Sequence, residues 1–94
     1  MNYVFEVIDK SGRKIHLSKE RRKHIKLDHP DVKEEEIKLT LQKPVRVIDK
    51  RKNKHFYYQY FKYKKSPSKF LRVIVKYLNG EGFTISAYFV NNIS

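Results

Sequence analysis

The spacing of apolar residues changes once along the chain, at Pro44. Before Pro44, a β-rich run over residues 3–8 ends in a polar turn and alternation resumes over residues 14–17, which predicts an N-terminal hairpin or strand. After Pro44, apolar and polar residues alternate with a period of two, which is typical of β-strands. The second half therefore predicts an antiparallel meander with strands over residues 45–48, 55–63, 70–78 and 83–90.

A first helix is predicted directly after the hairpin. Ser18 is a favourable N-cap residue for a helix over residues 19–27, and Pro30 forces an extended backbone on the residue before it, which ends the helix. This helix is mostly polar and is therefore expected at the surface. His24 is predicted to point to the same side as Leu17, the buried side, which makes it a histidine at the edge of the core.

A second helix is predicted between this segment and Pro44. Asp31 and Glu34 have the spacing of a capping box, which favours Asp31 as the N-cap. Ile37 and Leu41 are four residues apart, so they lie on one helical face. We expect that face to pack against the sheet.

The length and composition are those of one folded domain over residues 1–94. The hydrophobic content of 39%, with 7 tyrosines and 6 phenylalanines, is too high for a disordered chain. The predicted fold class is α+β, with the N-terminal hairpin and two helices packed on one face of a four-stranded antiparallel sheet. No apolar run is long enough to cross a membrane, and the lack of cysteine suits a reducing compartment, so we expect a cytoplasmic protein with no membrane partner.

The chain is strongly basic, and its charge is uneven. It contains 22 lysine and arginine residues against 10 acidic residues, a net charge of +12. Residues 1–43 hold 11 basic and 8 acidic side chains, whereas residues 44–94 hold 11 and 2. A positive field attracts phosphate backbones, and interleaved aromatic side chains offer surfaces for base stacking. The predicted partner is a nucleic acid, RNA ahead of DNA; the alternative is a solvated, lysine-rich surface.

Basic and aromatic residues around the second strand of the meander form the predicted RNA-binding set. They lie in the loop before this strand, on the strand and in the turn after it: Lys50, Arg51, Lys52, Lys54, Tyr58, Tyr60, Lys62, Lys64 and Lys65. The strand is aromatic on both faces, so either Tyr58 and Tyr60 or Tyr57 and Phe61 share a face with the cations of the next strand. Alternation alone leaves both arrangements open.

Alternation assigns the side chains of the last two strands to opposite faces of the sheet. The apolar sets predicted to face the helices are Leu71, Val73, Val75 and Tyr77, and then Phe83, Ile85, Ala87 and Phe89. The other face is predicted to carry Arg72, Lys76, Thr84, Ser86 and Tyr88. The alternative is that these are ordinary residues of a solvated strand surface.

A basic face with hydroxyl groups suits the cleavage of RNA, because RNA carries its own nucleophile in the 2′-hydroxyl. The reaction needs a base, an acid and a cation for the transition state, and it needs no metal or other cofactor. Arg72 and Lys76 are predicted to stabilise the phosphorane, Tyr88 to transfer protons and Ser86 to position the phosphate. The four histidines lack the spacing of a zinc site, so no metal is predicted.

Several short motifs follow one another in order along residues 13–90. They are Leu17-Ser18-Lys19-Glu20, His24-Ile25, His29-Pro30, Ile37 with Leu41, Pro44, Arg72-Val73-Ile74-Val75-Lys76 and Ser86-Ala87-Tyr88. This set resembles the small phage and prokaryotic nuclease-like family named for barnase, EndoU, tRNA-cleaving colicins and RelE. The resemblance implies a helical segment followed by a four-stranded antiparallel sheet, and metal-independent RNA cleavage. It also implies catalytic roles for His24, for Arg72 or Lys76, and for Ser86 with Tyr88.

Three functions are consistent with these features. The first is a toxin-like endoribonuclease, in which His24 or Tyr88 handles protons. The second is a non-catalytic RNA-binding module that uses the same sheet face. The third is a domain that binds an acidic protein, such as an antitoxin or an immunity-type protein, through the aromatic strand over residues 56–63.

Overall fold

A computed structural model describes residues 3–65 and 67–93 of the chain. Its elements, in chain order, are β1 (Tyr3–Ile8), β2 (Lys14–Ser18), α1 (Lys19–Asp28), α2 (Glu34–Gln42), β3 (Arg46–Asp49), β4 (Lys54–Tyr60), β5 (Phe70–Leu78) and β6 (Glu81–Val90). The predicted turn between the second and third strands of the meander contains Ser66, which lies outside the described residues. Among those residues, no helix has the length and apolar character needed to cross a membrane.

The strands form one mixed sheet in the order β1-β2-β6-β5-β4-β3. The strands from β3 to β6 pair antiparallel, but β2 also pairs with β6, in parallel, through Ile15 with Gly82 and His16 with Phe83. The predicted four-stranded antiparallel sheet is therefore wrong. Without the hairpin, β6 would expose a row of unpaired backbone groups, and Gly82 has no side chain to keep β2 at a distance.

Both helices contribute to one buried core against the same face of the sheet. This core contains Ile25 of α1, Ile37 and Leu41 of α2, and the sheet residues Ile15, Leu17, Leu71, Val73, Val75 and Ala87. Removing these apolar side chains from water supplies the main driving force for the fold. The opposite face of β4, β5 and β6 is left for polar and aromatic side chains.

Helix α1 has the predicted N-cap but a different orientation from the predicted one. The Ser18 hydroxyl accepts a 3.1 Å hydrogen bond from the Arg21 N–H, and the His29 N–H donates to the Ile25 carbonyl at 2.7 Å. Ile25 is buried, whereas the His24 side chain is 62% exposed. The prediction of a buried-side His24 is therefore wrong, because adjacent helical residues point about 100° apart and Ile25 faces the sheet.

Helix α2 begins later than its capping-box spacing suggested. Lys33 is the N-cap, and its backbone N–H donates a 2.9 Å hydrogen bond to Oε1 of Glu36. Asp31 lies before the helix, so its prediction as the N-cap is wrong. The Glu36 carboxylate accepts a hydrogen bond from the Lys33 N–H, which has no partner within the helix. This contact fixes Lys33 as the N-cap and Glu34 as the first helical residue.

Strand β6 contains a β-bulge. Ser86 lies opposite Ile74 and Thr84 lies opposite Val75, so Ile85 has no partner on β5. One extra residue shifts the alternation of side chains by one position. The residues of β6 before Ile85 therefore face the opposite way from the pattern predicted for an unbroken strand.

The bulge divides the predicted apolar set of β6 between the two faces. Ala87 and Phe89 pack on the helix side, as predicted. Phe83 lies opposite Lys76 on the other face, and Thr84 is buried on the helix side, so both of these assignments are wrong. An aromatic ring is thus placed beside the cation of β5.

The register of β4 selects one of the two aromatic arrangements. Tyr58 lies opposite Arg72, and Tyr60 lies opposite Phe70, so this pair of tyrosines shares the face of the β5 cation. The strand ends at Tyr60, earlier than predicted, and the side chain of Phe61 is buried in the core.

Candidate functional site

The sheet face that points away from the helices carries basic, aromatic and hydroxyl side chains. Directly opposed residues of antiparallel strands lie on one face, and their side chains are close enough to touch. Three rows of opposed residues define this surface, which we call the Arg72 face: Tyr58 with Arg72 and Tyr88; Phe56 with Ile74 and Ser86; and Lys54 with Lys76 and Phe83. Of the predicted catalytic residues, Arg72, Lys76, Ser86 and Tyr88 lie on it.

Arg72 is the middle residue of an outer row of the Arg72 face, and tyrosine hydroxyl groups hold its head group. Its Nε donates a 2.8 Å hydrogen bond to Tyr58, and one terminal nitrogen donates a 3.1 Å hydrogen bond to Tyr88. The guanidinium carbon also lies 5.2 Å from the ring centre of Phe56 and about as far from both tyrosine rings. Contacts of this kind attract a cation to aromatic rings, so the head group is fixed in place.

The same contacts raise the pKa of Arg72. Partial burial by itself acts to lower the pKa of the guanidinium, but the hydrogen bonds with Tyr88 and Tyr58 have the larger combined effect and raise it. A guanidinium in this setting presents a permanent, oriented positive charge. Such a charge attracts the anionic oxygens of a phosphodiester.

His29 contacts the Arg72 face at Tyr88. Its ring stacks on Tyr88, with ring centres 5.4 Å apart and an angle of 25° between the planes. His29 is the C-cap of α1, and the proline at position 30 disfavours a helical backbone at His29, which has φ −137° and ψ 72°. The end of the helix therefore positions an imidazole beside a tyrosine that is hydrogen-bonded to Arg72.

His24 has a different environment from the other predicted catalytic residues. Its side chain is exposed on α1, where Nε2 lies 3.9 Å from Oε1 of Glu20. Within residues 3–65 and 67–93, no hydrogen bond, ion pair or ring contact connects it with the Arg72 face. Its catalytic role remains a prediction from the resemblance alone.

Most of the basic residues in the predicted RNA-binding loop surround one cavity. The turn between β3 and β4 places Lys50, Arg51, Lys52 and Lys54 around a cavity of about 430 Å³ that Phe56 also lines. Lys50 Nζ lies 5.3 Å from the centre of the Phe56 ring. Because Phe56 belongs to the Arg72 face, the basic loop continues that surface at one end.

The remaining predicted RNA-binding residues are in several different environments. Tyr58 is fully buried, so its ring lies beneath the surface, whereas Tyr60 is exposed and packs against Phe70. Lys62 and Lys65 are exposed. Lys64 instead forms an ion pair with Glu36, which leaves it little freedom to meet a ligand.

No group of three or more histidine, cysteine, aspartate or glutamate side chains in the described part of the chain is arranged to hold a metal ion. Comparison of the chain with protein-family models, with curated proteins and with solved structures finds no match. The resemblance to the barnase, EndoU, colicin and RelE family accordingly stays a prediction.

Sequence reasoning did not assign His29 and Phe56 to the site. His29 precedes a proline, a position that indicates the end of a helix and says nothing about which ring lies next to it. Phe56 is one of several aromatic residues in its strand. Both became site residues through contacts with distant parts of the chain, Tyr88 and Arg72, and no local pattern encodes those contacts.

Proposed function

We propose that this protein is a metal-independent endoribonuclease that binds RNA on the Arg72 face. The observation that carries the proposal is the position of the Arg72 guanidinium, which the hydroxyls of Tyr58 and Tyr88 hold in place. The ring of Tyr88 also stacks against His29. A fixed cation, a phenol and an imidazole are the groups that cleavage by the 2′-hydroxyl requires. The net charge of +12 supports an anionic substrate.

In this proposal the 2′-oxygen of one nucleotide forms a bond with the adjacent phosphorus, and the bond from phosphorus to the next 5′-oxygen breaks. Neutral His29 takes the proton of the 2′-hydroxyl, and the Tyr88 hydroxyl gives a proton to the departing 5′-oxygen. Arg72 balances the charge that develops on the phosphorane oxygens. The products are a 2′,3′-cyclic phosphate and a 5′-hydroxyl.

The test is cleavage of a mixed-sequence RNA in excess chelator, with the ends of the products identified by mass spectrometry. The double variant Arg72→Ala, Lys76→Ala is expected to lose activity by at least about 10³-fold. Tyr88→Phe keeps the ring and removes the hydroxyl, and it is expected to lose about 10²-fold without loss of the fold. Lys38→Ala, an exposed cation on α2, is the charge control. Cleavage that persists in both site variants would sink the proposal.

The second candidate is an RNA-binding module without catalysis. The basic loop around the Phe56 cavity favours it, because this cavity combines cations with an aromatic ring and lies apart from His29. That function predicts binding that weakens steeply with salt, with no cleavage product at any pH. The same assays therefore separate the two candidates.

We extend the first proposal to a toxin-like role in the cytoplasm, where the lack of cysteine suits the reducing conditions. An acidic antitoxin or immunity-type protein is the proposed partner, because such a protein complements the basic surface. Induction in a bacterial host is expected to stop growth and fragment RNA, and Tyr88→Phe is expected to abolish both effects. Growth arrest that Tyr88→Phe leaves unchanged would contradict a toxic nuclease.

A further inference from the structure

A cleft of about 290 Å³ lies at the end of the Arg72 face next to α1. It forms because β2 pairs with β6 only through Ile15 with Gly82 and His16 with Phe83. Beyond these pairs, β2 continues through Leu17 and Ser18 into α1, while β6 continues past the bulge at Ile85. The segment that leads into α1 and the strand β6 diverge at this point, and the cleft lies between them.

Two cations from separate elements line this cleft. Arg21 comes from the first turn of α1 and is exposed, and Lys76 comes from β5 and is partly buried. In the described part of the chain, neither side-chain head group has a hydrogen bond or an ion pair. Both positive charges are therefore available to an anion within the cleft.

Two carboxylates, those of Glu6 and Glu81, lie against His16, which lines the cleft. Glu81 Oε1 lies 2.7 Å from His16 Nε2, and Glu6 Oε2 lies 2.8 Å from His16 Nδ1. His16 is itself buried, so the two carboxylates are held at its ring. The positive charges of Arg21 and Lys76 are not offset by close contact with these acids.

An aromatic ring completes the cleft. Phe83 lies opposite Lys76, and its ring stacks on His16 with ring centres 5.2 Å apart. The ring is only partly buried, and it lines the cleft together with the two cations. Cations beside an exposed aromatic surface are the arrangement that binds a nucleotide of a single strand, by a phosphate contact and base stacking.

We infer that this cleft is a second nucleotide subsite, in which a base stacks on Phe83 and a phosphate lies between Arg21 and Lys76. The inference rests on the proposed function, since the same RNA strand would occupy both sites. Lys76 is four residues from Arg72 along β5, or about 13 Å at the usual rise per residue. Tyr58 and Tyr88 hold the Arg72 head group in its own row of the sheet, whereas Lys76 lies in the row of Phe83 and lines the cleft. The cleft therefore binds a different nucleotide from the one held at Arg72.

The first experiment measures the affinity of a labelled ten-nucleotide single-stranded RNA and of a dinucleotide. Arg21→Ala is expected to weaken binding of the longer RNA about tenfold and to reduce its salt slope by about 0.7, the value for one phosphate contact. Phe83→Leu is expected to weaken it by about the same factor. The dinucleotide is too short to occupy the cleft and the Arg72 site together, so both variants should weaken its binding less than they weaken binding of the longer RNA.

Lys23→Ala is the matched control, because Lys23 is an exposed cation on the same helix and does not line the cleft. We expect it to change the affinity for the longer RNA less than twofold. Equal losses in Arg21→Ala and Lys23→Ala would mean that α1 contributes only general charge, and this result would overturn the subsite. Equal losses for the long RNA and the dinucleotide would overturn it as well.

The second experiment is an NMR titration of the ¹⁵N-labelled protein with adenosine 3′,5′-bisphosphate. The amide of Phe83 and the Nε–H of Arg21 are expected to shift, and Phe83→Leu is expected to remove the shift at Arg21. Signals that move only around Arg72 would overturn the subsite. If the wild-type protein fails to bind or cleave RNA, the proposed function fails, and this titration still decides whether the cleft binds a nucleotide.

Discussion

The hydroxyl of Tyr77 donates a 2.8 Å hydrogen bond to Oδ2 of Asp9, and this contact joins β5 to the turn of the N-terminal hairpin. The Tyr57 hydroxyl lies 2.5 Å from that of Tyr77, and the Arg13 guanidinium lies 3.8 Å from the centre of the Tyr77 ring. Burial and the hydrogen bonds with Tyr57 and Asp9 raise the pKa of Tyr77. The network is a polar link between the hairpin and the meander.

Asp9 makes the stability of the protein depend on pH. Burial by itself acts to raise the pKa of its carboxyl, but hydrogen bonds from Ser11, Tyr77 and the Arg13 N–H outweigh burial and lower it to about 2. Because the folded pKa is below the unfolded value of about 3.9, this stabilisation is complete above pH 4 and is lost as the pH falls towards 2. The lowered pKa corresponds to about 2 kcal/mol at pH 7.

Asp9→Asn is therefore expected to lower the free energy of unfolding more at pH 7 than at pH 2.5. Urea denaturation of both proteins at the two pH values measures this difference, which should shrink by about 2 kcal/mol at the lower pH. Protonation of the other carboxylates changes the unfolding free energy of both proteins equally, so it cancels when the two are compared at the same pH. A difference that is the same at both pH values would show that the Asp9 carboxylate does not cause the pH dependence of the free energy of unfolding.

Gly82 of β6 pairs with Ile15 of β2, and Gly82→Ala is expected to destabilise the protein by about 2 kcal/mol or more. A Cβ at this position would lie 2.9 Å from Tyr77 Cε1, 2.9 Å from Val75 Cγ1 and 3.1 Å from Ile15 Cγ1. Overpacking of this kind costs about 1–3 kcal/mol. Thermal or urea unfolding measures the loss.

A double-mutant cycle with Val75→Ala identifies the cause of that loss. Val75→Ala removes one of the close contacts, so Gly82→Ala should cost less in that background. An equal cost in both backgrounds would attribute the effect to the backbone rather than to crowding.

Lys64 is expected to contribute to stability more than to RNA binding. Its Nζ lies 3.1 Å from Oε2 of Glu36, whose side chain is 4% exposed. Lys64→Met would leave that carboxylate without its cation, and we expect it to lower the free energy of unfolding by about 2 kcal/mol. The exposed neighbours provide matched controls: Lys62→Met and Lys65→Met are expected to change it by less than about 0.5 kcal/mol. Three equal values in urea denaturation would contradict this role.

The two histidines near the end of α1 are expected to differ in their effect on RNA cleavage. His29→Ala should lower the rate by about 10²-fold, because His29 stacks on Tyr88 and is the proposed base. His24→Ala should change the rate less than about threefold, since His24 is exposed beside Glu20. The rates are measured in chelator at several pH values. The opposite result would support the role that the family resemblance implies for His24.

Local patterns determined most of the elements of this protein. Ser18 caps α1 by a hydrogen bond within four residues of the chain, and the alternation after Pro44 indicates strands because side chains two apart share a face. The sequence also predicted the turn between β5 and β6. Asn79 and Gly80 both adopt positive φ values there, which these two residue types tolerate best. Each of these features depends on neighbours in the sequence.

The tertiary structure alone decided how these elements meet. The parallel pairing of Ile15 with Gly82 joins residues that are far apart in the chain, and the bulge at Ile85 breaks the alternation on which the predicted faces of β6 depended. His29 meets Tyr88 only after α1 has packed against the sheet. Local patterns report the conformation of a segment, whereas the site depends on contacts between segments, and those are set by which surfaces can be buried together.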